Sequence, residues 1–154
     1  MPEISVEEDI EASPEKLYEL VSDVTRMGDW SPETTSCRWL GQATGPAVGA
    51  KFRGSNRSGW RRWSTTCTVV EADPGRAFAF EVKAGPFPVA KWSYEFAPTA
   101  TGCIVTERWT DMRTGWMVRV SPVVTGVGDR PGHNREGMER TLAALRRAGE
   151  SAAV

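Results

Sequence analysis

The chain has 154 residues, 40% of them hydrophobic and 25% charged, with 19 Lys and Arg against 20 Asp and Glu and a net charge of -1. That length suits one domain, which buries roughly 70% of its unfolded surface and closes a core without a disulfide or a metal. The balanced charge argues against a general nucleic-acid binder, which carries a basic excess, and no run of about 18 apolar residues is present to span a membrane.

The chain opens as a strand: Ile4, Val6, Glu8 and Ile10 alternate with Ser5, Glu7, Asp9 and Glu11. Its acidic, alternating character fits neither a signal peptide nor a transit peptide. Ser13-Pro14 is an N-cap followed by a first-turn proline, and Leu17, Leu20, Val21 and Val24 continue as a helical stripe. A second short helical piece spans Thr25 to Trp30 and ends at Ser31-Pro32. Short strands follow, separated by Gly, Pro and Asp: Cys37 to Leu40, a weak Ala50 to Gly54, and Arg62 to Glu71 with Trp63, Thr65, Cys67 and Val69 on one face. After the Asp73-Pro74-Gly75 turn, Phe78, Phe80 and Val82 share a face; after Gly85-Pro86, so do Trp92, Tyr94 and Phe96. In the last strand Val105, Glu107 and Trp109 alternate with Ile104, Thr106, Arg108 and Thr110. Strands this closely spaced imply hairpins and an antiparallel meander.

Thr114 to Val127 is too apolar for a solvated loop, and Pro122 breaks a long helix there, so a helical or irregular segment packing back on the domain is expected. Asp129 then caps a final helix with Pro131 in its first turn, Met138, Leu142 and Leu145 as its apolar stripe, and Gly149 at its end. Asn134 and Thr141 flank that stripe. Residues 1–150 form the domain and 151–154 a disordered tail. Cys37, Cys67 and Cys103 are odd in number and far apart, which suits free thiols in a reducing cytoplasm.

An opening strand running into Ala12–Val24, the Met27–Glu33 stretch MGDWSPE, and the Gly137–Arg147 stretch GMERTLAALRR together resemble the START-like (SRPBCC) superfamily, and within it the bacterial polyketide cyclase/dehydrase-like group. The resemblance spans nearly the whole chain. It implies an α+β helix-grip, or Bet v 1-like, fold: a curved antiparallel sheet of about six to seven strands wrapped round a long C-terminal helix, with two short helices after the first strand. It also implies an apolar cavity between sheet and helix. Relatives bind lipids, sterols, polyketides or plant hormones, and a minority are cyclases, dehydratases or hydrolases. Fold alone does not settle which.

The sequence holds few signs of chemistry. His133 is the only histidine and, near a helix start, reads as an exposed or capping residue. No His cluster, Cys-x-x-Cys pair or Gly-x-Ser-x-Gly elbow is present, so neither a metal nor a cofactor is expected. Trp60-Arg61-Arg62-Trp63 interleaves bases and rings, yet without a wider basic patch it reads as a strand start. The strand phases are more informative. With the ring-bearing faces inward, Glu107 points into the hollow beneath the final helix, where burial raises a carboxyl's pKa unless a cation meets it. Glu8 shares the apolar face of the first strand, and the first and last strands are neighbours in the resembled fold, which would bring Glu8 towards Glu107; for each of the two the simpler expectation is a place at a strand end, solvated or paired with an Arg, because one slip in register or a bulge reverses the facing. Glu95 and Arg108 fall on the outer face, able to pair across strands.

Three functions remain open from the residues together with what the resemblance implies. The first is a cytoplasmic binder of a small hydrophobic molecule, lipid or polyketide-like, lined by Trp30, Trp63, Trp92, Tyr94, Trp109, Asn134, Met138, Thr141 and Leu142 with Glu107 anchoring a polar end. The second is a cyclase or dehydratase acting on a polyketide-like substrate, in which Glu107 moves a proton and Tyr94 or an Arg polarises a carbonyl. The third is a non-enzymatic interaction module, favoured if the apolar stretch Trp116–Val127 lies outside. Monomer and homodimer are equally compatible.

Overall fold

The computed structural model describes residues 3–151. Seven strands form one antiparallel sheet: β1 (Glu3–Ile10), β2 (Thr34–Trp39), β3 (Lys51–Ser58), β4 (Arg61–Asp73), β5 (Ala77–Ala84), β6 (Phe87–Pro98) and β7 (Cys103–Asp111). Their spatial order is β1-β7-β6-β5-β4-β3-β2, so all but the first strand make a continuous meander and β1 closes on β7. Register shifts near Thr34, Val70 and Val82 mark irregularities that bend such a sheet. Helices α1 (Pro14–Ser22) and α2 (Met27–Trp30) are linked by a 3-10 turn and follow β1; α3 (Gly115–Thr125) and α4 (Arg130–Ser151) follow β7. This is the α+β helix-grip architecture, with α4 laid against β1 and β7.

The local signals act as their chemistry dictates. The Ser13 hydroxyl accepts the Lys16 N–H at 3.1 Å, and Pro14 occupies the first turn of α1. Asp129 accepts the Gly132 N–H on its side chain at 3.1 Å and the His133 N–H on its carbonyl at 3.0 Å, starting α4. Arg108 and Glu95 pair on the outer face of β6 and β7.

Three expectations need correction. Gly149 does not end α4, which runs on through Ser151; residues 152–154 of the expected tail lie outside the described residues. The reason is packing: a Cβ at Gly149 would approach Leu17 Cδ2 to 2.9 Å and Ala12 Cβ to 3.3 Å, so the glycine lets α4 and α1 meet closely. Pro122 lies within α3 rather than breaking it. The carbonyl it leaves without a donor, that of Val118, belongs to a residue exposed to water, and Gly126 closes the helix in the left-handed region (φ 75°) with its N–H on the Pro122 carbonyl. Finally, α3 does not pack its apolar residues on the domain: Trp116, Val118, Val120, Val123 and Val124 are all exposed.

The space beneath α4 is divided. Under its C-terminal half the core is filled: Ile10, Leu17, Phe78, Cys103, Val105 and Leu142 are fully enclosed, and Tyr18 sets its ring edge-on to Phe78 and Phe96 at 6.3 and 6.0 Å. Under its N-terminal half the sheet and helix stand apart around a hollow. Along β7 the change comes within one alternation, from Val105 in the filled half to Glu107 and Trp109 on the hollow.

Candidate functional site

The hollow is a cavity of about 350 Å³ walled by β2–β7 and by residues of α1, α2, α3 and α4. Four of the seven tryptophans, Trp30, Trp63, Trp92 and Trp109, border it. The strand period explains three of them: Trp63 on β4, Trp92 on β6 and Trp109 on β7 all fall on the inward phase. Trp92 and Trp109 are direct cross-strand partners with ring centroids 6.5 Å apart. From α4, Asn134, Met138 and Thr141 face the same space. Leu142 does not: it is fully buried to one side of the wall, while Met138, Thr141 and Leu145 on either side of it along α4 border the cavity. Trp39 packs on Phe52 instead, at 5.6 Å.

Glu107 is the polar centre of this wall. It is paired in register with Tyr94, on the neighbouring strand. The Tyr94 hydroxyl donates to Glu107 Oε2 at 2.6 Å, while Glu107 Oε1 has no partner among the described residues. Only 2% of Glu107 is exposed. No cation pairs with it among the described residues, so burial dominates: desolvation pushes its carboxyl up to about 8, with the Tyr94 hydrogen bond pulling weakly the other way. Burial, and then the neighbouring carboxyl, push the Tyr94 hydroxyl well above its usual value. At neutral pH the site therefore holds a neutral carboxylic acid. Its Oε2 accepts from tyrosine, which leaves Oε1–H free to donate into the cavity.

Glu8 lies elsewhere. It stands opposite Val105 on β1, does not border the cavity, and pairs with Arg146 of α4 at 3.1 Å.

The other end of the cavity is ionic. Arg130, buried in the first turn of α4, donates to both Glu33 oxygens at 3.0 and 2.8 Å and to Asn134 Oδ1 at 3.2 Å, with its guanidinium 6.0 Å from the Trp63 ring centre. His133, with an exposed ring, meets Glu33 Oε2 at 2.9 Å, and so joins this cluster besides sitting in the capped turn. Arg113 makes a two-pronged pair with Asp111 at 2.9 and 2.8 Å. Burial alone would raise the Asp111 carboxyl, but the Arg113 side chain and N–H outweigh it and hold it below the usual value. Trp30 contributes a buried indole N–H that has no partner among the described residues, while the Thr141 hydroxyl lies 3.4 Å from the Trp30 carbonyl. An unpartnered donor and an unpartnered carboxyl oxygen thus border one apolar space.

The cavity-lining thiols are poor nucleophiles: burial pushes Cys37 up to about 11 and Cys67 up to about 12. Among the described residues no three His, Cys, Asp or Glu side chains gather as a metal site.

Arg130 and Glu33 were not singled out from the sequence. Arg130 was within reach of it, because stepping the α4 stripe back by four from Met138 gives Asn134 and then Arg130. Glu33 was not, because its role depends on where the chain runs after α2.

Known proteins resemble this chain in sequence and shape. The model of the family described as "Polyketide cyclase / dehydrase and lipid transport" matches residues 1–150. A Polyketide_cyc-like protein of Corynebacterium glutamicum, solved by NMR, is 32% identical over 99% of this chain and 96% of its own, with a TM-score of 0.62. The di-domain ARO/CYC StfQ of the steffimycin biosynthetic pathway is 13% identical; the similarity covers 98% of this chain and 51% of StfQ, with a TM-score of 0.75. An AHSA1-like protein of Aeromonas hydrophila is 18% identical over 99% of this chain and 94% of its own, with a TM-score of 0.66. At those last two identities the likeness speaks for the fold alone. No curated protein matched.

If Glu107 is neutral when folded, stability must fall with pH across a defined window. The unfolded chain ionises this residue above about 4.5, whereas the folded chain holds its proton to about 8. Between those values the native state binds more protons, so this residue's contribution declines by up to about 1.4 kcal/mol per pH unit and is constant outside them. Urea unfolding of the native protein and Glu107→Gln should diverge over that range, with the variant losing this slope; parallel curves would mean an ionised Glu107.

Proposed function

Since the chain belongs to the polyketide cyclase/dehydrase and lipid transport family, we propose that it binds a small hydrophobic molecule carrying a hydroxyl or carbonyl in the cavity between sheet and α4. The observation that carries this reading is Glu107: a buried carboxyl with one oxygen unpartnered, set in a wall of indole rings. Leaving a buried polar atom unpaired costs about 1–3 kcal/mol, and a ligand oxygen at Oε1 would recover it. A ligand acceptor reaching Trp30 Nε1 would satisfy the second open group. The cavity's 350 Å³ lies low in the range of about 300–1,000 Å³ common for small-molecule sites, which favours a compact ring system or single chain over a two-chain lipid. Three free, buried cysteines suit a reducing cytoplasm.

A hydroxylated anthraquinone is a suitable probe, being planar, apolar and oxygen-edged. Its binding should quench tryptophan emission, and Trp92→Ala should weaken it by about tenfold, the usual worth of one aromatic contact. Equal affinity in native protein and variant would dismiss the cavity as the site.

A second reading, a dehydratase or cyclase, is favoured by the protonation of Glu107. A neutral acid beside an apolar ligand is equipped to give its proton to a departing hydroxyl, which leaves as water. The carboxylate so formed would take up the proton lost from the adjacent carbon, restoring the acid. Tyr94, donating to Oε2, would hold the carboxyl in position throughout. On this reading Glu107→Gln abolishes turnover of a β-hydroxy ketone while probe affinity changes by less than a few-fold. Undiminished turnover would leave binding alone.

A further inference from the structure

Helix α3 is inside out. Its hydroxyl residues Ser121 and Thr125 face the cavity, and Thr125 donates to the Ser121 carbonyl at 3.0 Å. Trp116, Val120, Val123 and Val124, spaced at one helical face, point to solvent, with exposures of 53%, 47%, 73% and 48%. The patch continues at both ends of the helix. Phe87, from the β5–β6 turn and 45% exposed, sets its ring edge-on to Trp116 at 5.0 Å. At the other end Arg61 donates to the Val123 carbonyl at 3.0 Å and lies 4.3 Å from the Trp60 ring centre, and Trp60 is 80% exposed. Contiguous apolar surface of this kind marks a contact site.

Charge identifies the partner. The pairings place Arg57, Arg61 and Arg62 at the β3–β4 tip and Lys83 beside the β5–β6 tip, and Arg119 lies on α3 itself. None of these five cations forms an ion pair among the described residues. In the sequence Trp60-Arg61-Arg62-Trp63 stands without a wider basic patch; the fold supplies one, by bringing Arg57 across the hairpin from Arg62 and α3 with its exposed Arg119 alongside. Exposed tryptophans and valines bordered by unpaired cations are the chemistry of an interface that rests on an anionic membrane.

We propose that the face formed by α3 and the tips of the β3–β4 and β5–β6 hairpins docks on an anionic lipid bilayer. No helix of the described residues is long and apolar enough to cross a membrane, so the contact is peripheral. Because α3 also borders the cavity, docking would set the cavity mouth at the lipid surface, where an apolar ligand is dissolved. The inference rests on exposed residues and stands apart from the identity of the cavity's ligand.

Vesicle sedimentation tests it. The native protein should pellet with mixed phosphatidylglycerol and phosphatidylcholine vesicles, less so as salt rises, and weakly with phosphatidylcholine alone. Arg119→Glu should lower partitioning roughly tenfold, following the contribution of a basic side chain at an anionic surface. Val123→Asp should lower it at least as far. Both positions are exposed, so thermal midpoints should not move, and Arg119→Glu serves should Val123→Asp misfold. Absence of pelleting, or pelleting unaltered in the variants, would overturn the proposal. So would a native dimer in sedimentation velocity that Val123→Asp separates, since a second copy would then cover the face.

Discussion

The burial of one carboxyl without a cation organises this protein. An ionised group at the position of Glu107 would lose its hydration and gain only a tyrosine hydroxyl in return, a deficit of several kcal/mol. Keeping the proton is the cheaper solution, and it converts an acceptor into a donor. The sheet enforces this arrangement because Tyr94 and Glu107 are direct partners in the β6–β7 ladder, on the same face as Trp92 and Trp109. Sliding either strand by one residue would turn the carboxyl to water and the rings with it. The register that builds the domain also fixes the state of its most unusual acid.

The cations are placed where they do not reach that acid. Arg113 is occupied by Asp111, Arg130 by Glu33 and Asn134, and Arg146 by Glu8 and Glu150. Two of these pairs tie elements together: Arg130 joins α4 to the segment after α2, and Arg146 joins α4 to β1, while Arg113 and Asp111 pair locally at the end of β7. Packing completes the arrangement. Gly149 draws α4 down onto α1 at the filled end, while indole rings and the Arg130 cluster occupy the other, where the helix stands off the sheet. The cavity is the region where large rigid rings line a wall that α4 does not reach.

How much of this was legible in the sequence follows from which interactions are local. Strand alternation put Trp63, Trp92, Tyr94, Glu107 and Trp109 on one face, since phase is a property of the segment itself. Helix boundaries set by Ser13-Pro14 and Asp129 were legible for the same reason. Leu142 was misplaced because a helical stripe shows which side faces the sheet, not which of its residues meet open space and which meet filled core: Leu145, further along α4, borders the cavity and Leu142 does not. The end of α4 was misread because Gly149 acts through a tertiary approach to Leu17 rather than as a cap. The β3 strand was underestimated at its Ser55–Ser58 end, where polar residues pair in a hairpin without an apolar alternation to announce it. The α3 segment reads as core by composition, yet its valines face outward; the sequence carries their apolarity, and only the fold shows that none of the described residues covers them.

The most direct test is a carbon-13 NMR titration of the Glu107 side-chain carboxyl in the native protein. A resonance that holds its protonated shift through neutrality and moves with a midpoint near 8 is the predicted result. A midpoint near the ordinary glutamate value would mean the site is wet or paired with a cation, and the account of a neutral acid awaiting a ligand oxygen would be wrong.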